Sequence, residues 1–190
     1  MIANNILSFA KCILCEVLES GSIAVDATVG NGYDTVFLSR QVGVDGRVFG
    51  FDIQEEAVKQ TEQRLNEECM PENWTLFHDG HENMLKCIPE EFYARVNVVM
   101  FNLGFLPGSD KTIITETATT LKAIQSSLEL LAVGGVVSIA IYAGHPGGAE
   151  EDEAVRDFCS SLDYHSYRII QSEMINKPGF PIRMLFISKL

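Results

Sequence analysis

DATVGNGYD, residues 26–34, is the stretch from which the architecture of this 190-residue chain is read. Ile23, Ala24 and Val25 ahead of it form an apolar run that reads as a strand. Gly30 and Gly32 permit a sharp turn with close backbone approach, and Thr35 to Val42 resumes at helical spacing. A strand, a glycine turn and a helix make a cradle of the kind that holds nucleotide-like ligands. Two neighbouring glycines are also a common plain turn, so the rest of the chain has to decide.

Upstream, Ile6, Phe9, Ala10, Ile13, Leu14 and Val17 fall on one helical face, with Asn4 or Asn5 placed to cap it. Downstream, Gly43 to Gly46 turns the chain into a second strand, Arg47 to Asp52. A helix from about Gln54 to Glu67 follows, with Ala57, Val58 and Leu65 facing inward. Trp74 to His78 is a third strand, and Val96 to Phe101 a fourth, almost wholly apolar as a strand covered on both faces should be. Thr115 to Leu131 reads as a long helix stopped by Gly134 and Gly135, and Val136 to Tyr142 as the fifth strand. A helix over Ala149 to Leu162 leads to two strands, Tyr164 to Gln171 and Met184 to Ser188, joined by a short loop through Lys177 to Pro181. This alternation predicts one α/β domain over residues 1–190. Its sheet should have seven strands, mostly parallel, with one antiparallel strand near the C-terminus and helices on both faces.

A hydrophobic fraction of 46% with interspersed charge is that of an ordinary globular protein. No apolar run reaches the length of a membrane span and no signal peptide is evident, so the expected location is the cytoplasm, without a membrane partner. The net charge of −12 is uneven: −9 over residues 1–95 and −3 over residues 96–190. Nonspecific binding along a phosphate track needs Lys and Arg in number, so a nucleic-acid partner would have to be met locally, through the less acidic half. The five cysteines read as buried thiols rather than a disulfide framework. Cys12-x-x-Cys15 and His78-x-x-His81 could in principle share a zinc ion, but the helical pattern already accounts for both cysteines, and no metal is expected.

In an open parallel sheet the ligand lies outside the carboxyl ends of the strands. Here those ends are the glycine turn, Asp52, Asp79-Gly80-His81 and Asn102-Leu-Gly-Phe-Leu-Pro107. Asp52 comes 20 residues after Gly32, where an acid accepts from both hydroxyls of a ribose. Asp79 either accepts from an adenine amino group or caps a turn. A dinucleotide cradle would want a third glycine where Thr35 stands, and Asp34 would repel phosphates. A phosphate-free, positively charged cofactor suits the site better, which favours S-adenosylmethionine over NAD.

DATVGNGYDT, the acid of FDIQ, DGHENM, NLGFLPGSD and the late GHPGG, in this order and at these spacings, resemble the class I methyltransferases labelled rRNA methylases. Characterised members of that family are tRNA 5-(aminomethyl)-2-thiouridine methyltransferases of Gram-positive bacteria. The resemblance spans nearly the whole chain. Thr28 stands where the general class I motif has its first glycine, as in this family's own pattern. The resemblance implies a Rossmann-like fold and methyl transfer from S-adenosylmethionine to the aminomethyl group of the wobble uridine, with the tRNA anticodon region as partner. It implies that Asn31, Gly32 and Asp34 approach the methionine end, that Asp52 and Gln54 hold the ribose and its surroundings, and that Asp79, Gly80 and His81 flank adenine. It also implies that Asn102 to Pro107, with Leu103 and Gly104, faces the amine.

Methyl transfer of this kind is an in-line displacement that needs an aligned, unprotonated amine and little water. Asn102 offers a side-chain carbonyl, or the backbone there a carbonyl acceptor, and Tyr142 and His145, ahead of Pro146, are the candidates for orienting or deprotonating the amine. Tyr142 could equally stack on the base. Two other readings stay open. One is methylation of rRNA or of a small molecule; the other is a nucleotide-binding partner protein without catalysis. A homodimer is compatible with the sequence.

Overall fold

The computed structural model describes residues 5–104, 114–179 and 181–190. Of the positions singled out above, Asn4, residues 105–110 of NLGFLPGSD and Phe180 lie outside them. Seven strands, β1 Ile23–Asp26, β2 Arg47–Asp52, β3 Trp74–His78, β4 Val96–Leu103, β5 Leu131–Ile141, β6 Tyr167–Glu173 and β7 Arg183–Lys189, form one sheet in the order β3-β2-β1-β4-β5-β7-β6. β1 to β5 pair in parallel, while β7 runs antiparallel to both β5 and β6. This matches the predicted mixed sheet with one reversed strand. The helices are α1 Ile6–Cys15, α2 Tyr33–Val42, α3 Glu55–Glu67, the single-turn α4 Met84–Cys87, α5 Thr117–Leu130 and α6 Gly148–Ser161.

Alternation along each central strand divides the core in two. Val25, Phe49, Phe51, Val99, Phe101 and Ile139 point to one face and pack with α5 and α6 side chains such as Ile124 and Val155. Ala24, Val48, Val98, Met100 and Ala140 point to the other and pack with Ile6, Ala10 and Leu14 of α1 and Leu38 of α2. A strand with both faces covered has no polar face, which is why β4 reads as one apolar run. Asn5 caps α1, its side chain accepting from Ser8 N at 2.8 Å.

Two expectations change. The fifth strand begins at Leu131 rather than Val136, directly at the end of α5, and Gly134 and Gly135 fall inside it, near a register shift opposite Val96 and Val98. Glycines following an apolar helix read as a stop signal, but here they lie at a sheet irregularity, where Gly134 takes φ of 82° and a Cβ on Gly135 would lie 3.0 Å from Asn97 O. The cysteines are mostly not buried: Cys12, Cys15 and Cys69 are exposed, Cys87 is half-buried, and Cys159 alone of the five is buried, its thiol pushed up to about 12 by desolvation. Ile6, Ala10 and Leu14 fix the inward face of α1, and Cys12 and Cys15 fall on the opposite side. Among the described residues no three His, Cys, Asp or Glu converge as a metal site requires, and no helix is long and apolar enough to cross a membrane.

Candidate active site

The strand order reverses between β1 and β4, and a cavity of ≈ 920 Å³ opens at their carboxyl ends. The turn after β1 forms its floor. Asp26, fully buried, accepts from Thr28 N at 3.2 Å and from the Thr35 hydroxyl at 2.7 Å, which ties the start of the turn to the start of α2. Burial, and after it the charge of Asp34, raises the Asp26 carboxyl to about 7. Gly32 is left-handed, with φ of 80°, and a Cβ there would lie 2.9 Å from the Thr61 hydroxyl and 3.0 Å from Thr61 Cα. Only glycine fits both the angle and the gap. From α3, the Thr61 hydroxyl donates to Gly30 O at 3.2 Å, and Arg64 Nε donates to Asn31 O at 2.7 Å while stacking on Tyr33.

Asp52 closes β2 at one end of the cavity. Its two oxygens accept from Gly30 N at 3.0 Å and Gln54 N at 2.9 Å, so each retains capacity for one further donor. Desolvation raises its carboxyl above the usual range. His81, buried at the cavity wall, meets Ala27 O at 3.1 Å through Nδ1. A carbonyl only accepts, so Nδ1 carries the proton; burial lowers the imidazole's basicity and keeps it neutral.

At the other end, Asn102 N donates to the Thr28 hydroxyl at 2.8 Å, and its side chain meets Asp34 Oδ2 at 2.8 Å. A carboxylate accepts, so the amide nitrogen faces Asp34 and Asn102 Oδ1 is left as an acceptor. Lys11 Nζ completes this group, 2.6 Å from Asp34 Oδ1. Tyr142 stands beside it, its phenol raised first by burial and then by the charge of Asp34. Gly104, at φ of 150°, leaves space that a Cβ would narrow to 3.2 Å from Tyr142 Cβ and 3.6 Å from His145 Nε2.

The cavity therefore brings together Asn31, Asp34, Asp52, Gln54, Gly80, His81, Asn102, Gly104 and Tyr142. Gly32 lies beneath the turn against α3, and Leu103 is buried in the core. Asp79 is not on the cavity wall: its carboxylate accepts from Gly80 N, Asn83 Nδ2 and Cys87 Sγ, and the Asn83 bond is the first cause holding it below the usual carboxylate range. These bonds tie Asp79 to the approach to α4. His145 lies behind Gly104 with Nδ1 on Pro146 O at 3.0 Å; Pro146 itself is exposed, and Pro107 lies outside the described residues. Absent from the sequence reading are Ser8 and Lys11 of α1, Tyr33, Glu82, Glu116 and Thr119. Their one signal was the polar side of an amphipathic helix or a turn beside a motif, which does not announce a site.

The sheet order, the reversed β7 and the cavity over β1 and β4 are those of the class I methyltransferases. Residues 48–188 match the family described as "Putative rRNA methylase". The chain belongs to that family. It is 38% identical over 186 residues to an Arabidopsis thaliana protein named tRNA (mnm(5)s(2)U34)-methyltransferase, chloroplastic; the match covers 92% of this chain and 65% of that one. Among solved structures, it is similar to an rRNA methylase from Clostridium thermocellum, so described with the word "putative", at 38% identity and a TM-score of 0.94, with 100% of both chains covered. A methyltransferase from Streptococcus mutans, likewise qualified and solved in complex with SAH, is 37% identical with a TM-score of 0.88, again over 100% of both chains.

Proposed function

We propose that this chain transfers a methyl group from S-adenosylmethionine to the primary amine of 5-aminomethyl-2-thiouridine at the wobble position of tRNA. The observation that carries the reading is the division of the cavity. At one end are Asp52 and Gln54, with hydrogen-bonding capacity suited to a ribose. At the other, Asn102, Asp34 and Tyr142 suit an amine. Thr35 supports this cofactor over a dinucleotide: its buried side chain clasps Asp26 where a dinucleotide cradle has its third glycine. The Arabidopsis relative's name supports the tRNA substrate. S-adenosylmethionine bound there supplies a methyl group on a positively charged sulfur.

The residues of the chain divide the remaining work. Asn102 Oδ1 accepts from the amine and aims its lone pair, and the Asp34 contact fixes that orientation. Tyr142 keeps its phenolic proton at neutral pH, since its phenol is raised, so it orients or stacks on the base and does not take the proton. His145, with Nδ1 on Pro146 O, lies behind Gly104 and off the cavity wall, so the amine's proton passes to solvent water rather than to it. An aliphatic amine with pKa of roughly 10 arrives as ammonium and must pass one proton on before it attacks in line, forming N–C as S–C breaks.

The test is transfer of labelled methyl to purified tRNA. tRNA carrying the aminomethyl group should accept one methyl, and tRNA lacking it none. Asn102→Ala should lower kcat by roughly 100-fold through loss of orientation. Comparable methylation of rRNA or of a free small molecule would favour the other reading.

A further inference from the structure

Charge is unevenly spread over the cavity end of the sheet. The turns after β1, β2 and β3 and the segment leading into α5 place Asp34, Asp52, Glu82 and Glu116 on the cavity wall. Glu55 and Glu56 add two acids at the start of α3. A phosphate crossing any of these loops meets like charge. The sector beyond β5 differs. Residues 142–149, after β5, and 174–182, between β6 and β7, contain no Asp or Glu, and the second stretch contains Lys177. The acids nearest to it are mostly engaged: Arg183 donates to Asp152 and lies 3.4 Å from Glu173, and Glu151 is buried under Thr115 and Thr120. Glu150 and Glu153 are exposed, but they belong to α6 rather than to either loop.

Strand register puts the β6–β7 turn next to the cavity. β7 pairs antiparallel with β5, Ala140 opposite Met184 and Ile141 opposite Arg183, and Arg183 in turn stands opposite Glu173 of β6. One residue further, the same register sets Ile182 beside Tyr142 of the cavity wall, about 5 Å away across the strand spacing. Both side chains pack on the same apolar cluster. Above this base Met174 O accepts from Lys177 N at 3.1 Å, which closes a tight turn. Its apolar side chains face water: Ile175 is 92% exposed and Met174 36%. Lys177 is exposed beside them. A cation for a phosphate, with apolar surface for the face of an unstacked base, is the combination that holds single-stranded RNA.

We propose that the turn at residues 174–179 is a contact surface for the RNA strand flanking the methylated nucleoside, Lys177 meeting a phosphate while Met174 and Ile175 cover a neighbouring base. The strand leaves the cavity past Tyr142, over the one sector of the rim whose loops carry no acid. This rests on the tRNA reading above and deepens it, since it gives an acidic protein a local place for backbone contact.

Titration of tRNA carrying the aminomethyl group, across a range of KCl concentrations, tests the surface. Lys177→Ala should raise Kd roughly fivefold at low salt and reduce the slope of log affinity on log salt by about 0.7 to 1. Ile175→Ser should raise Kd roughly threefold and leave the slope unchanged, because no charge is lost. Both should bind S-adenosylmethionine as wild type does. Arg47→Ala makes the same change in net charge at the exposed start of β2, the opposite end of the sheet, and should change neither Kd nor slope. An unchanged Kd in both turn variants overturns the surface. So does an Arg47→Ala effect equal to that of Lys177→Ala, which would reduce it to net charge, and so does a change in sedimentation mass with Ile175→Ser, which would make the turn a contact between copies of the chain. Wild type that neither binds nor methylates this tRNA overturns the tRNA reading itself and the surface with it, an outcome distinct from active wild type with indifferent variants.

Discussion

Asp26 ends β1 fully buried, and the two groups that donate to it do not offset the cost of burying a charge next to Asp34. Its carboxyl titrates near the model-peptide value of 3.8 when unfolded and at about 7 when folded. Between those values the native state holds more protons than the unfolded one, so this group makes stability fall as pH rises. The slope is at most about 1.4 kcal/mol per pH unit. Asp52, also raised, acts in the same direction. Asp26→Asn should flatten the decline in melting temperature from pH 5 to pH 7 relative to wild type; an equally steep decline in the mutant would show that Asp26 is not its source. At this scale the sequence was legible where a motif fixes backbone geometry. Gly30, Asp34, Asp52 and Asn102 all reach the cavity because strand ends and turns put them there. Asp79 was less so, because an acid one residue after a strand bonds within its own turn as readily as it meets a ligand, and here it accepts from Asn83 and Cys87.

Between elements, α6 and the segment leading into α5 are joined by a buried acid. Glu151, 1% exposed, accepts from the hydroxyls of Thr115 and Thr120, each at 2.7 Å. Thr115 pairs in turn with Gly104, its hydroxyl accepting from Gly104 N at 3.0 Å and its N–H donating to Gly104 O at 2.9 Å. One side chain thus holds together two chain segments that both border the cavity. Removing it strands two buried hydroxyls, so Glu151→Ala should cost about 2 kcal/mol or more in urea unfolding and raise KM for the proposed tRNA substrate, while Glu151→Gln, which keeps one acceptor, should cost less. A Glu151→Ala protein as stable as wild type would mean that the cluster does not hold these segments. The helix itself was legible from its spacing, but a Glu in the acidic run 150–153 reads as a solvated helix start, and its burial comes only from packing against α5. The boundary between α5 and β5 was illegible for a related reason: Leu130 and Leu131 look alike, and pairing with Val96 makes the second one sheet.

For the whole molecule, the pattern of two-sided apolar strands alternating with amphipathic helices was enough to predict the sheet, including its reversed strand, because each period reports which faces are covered. The fold of α1 against the rim of the cavity was not predictable in this way. Nothing local in Asn5 to Lys11 tells which site, more than a dozen residues downstream, its polar side will meet. If the substrate is the proposed tRNA, the overall charge of −12 favours recognition through an unpaired base drawn into the cavity over recognition along a phosphate track. That makes the modified wobble nucleoside the substrate feature to follow. Mass spectrometry of tRNA nucleosides from cells with and without the gene measures it. Loss of the protein should abolish the methylated 5-aminomethyl-2-thiouridine and let the unmethylated aminomethyl nucleoside accumulate in its place. An unchanged ratio of the two nucleosides would contradict the assignment.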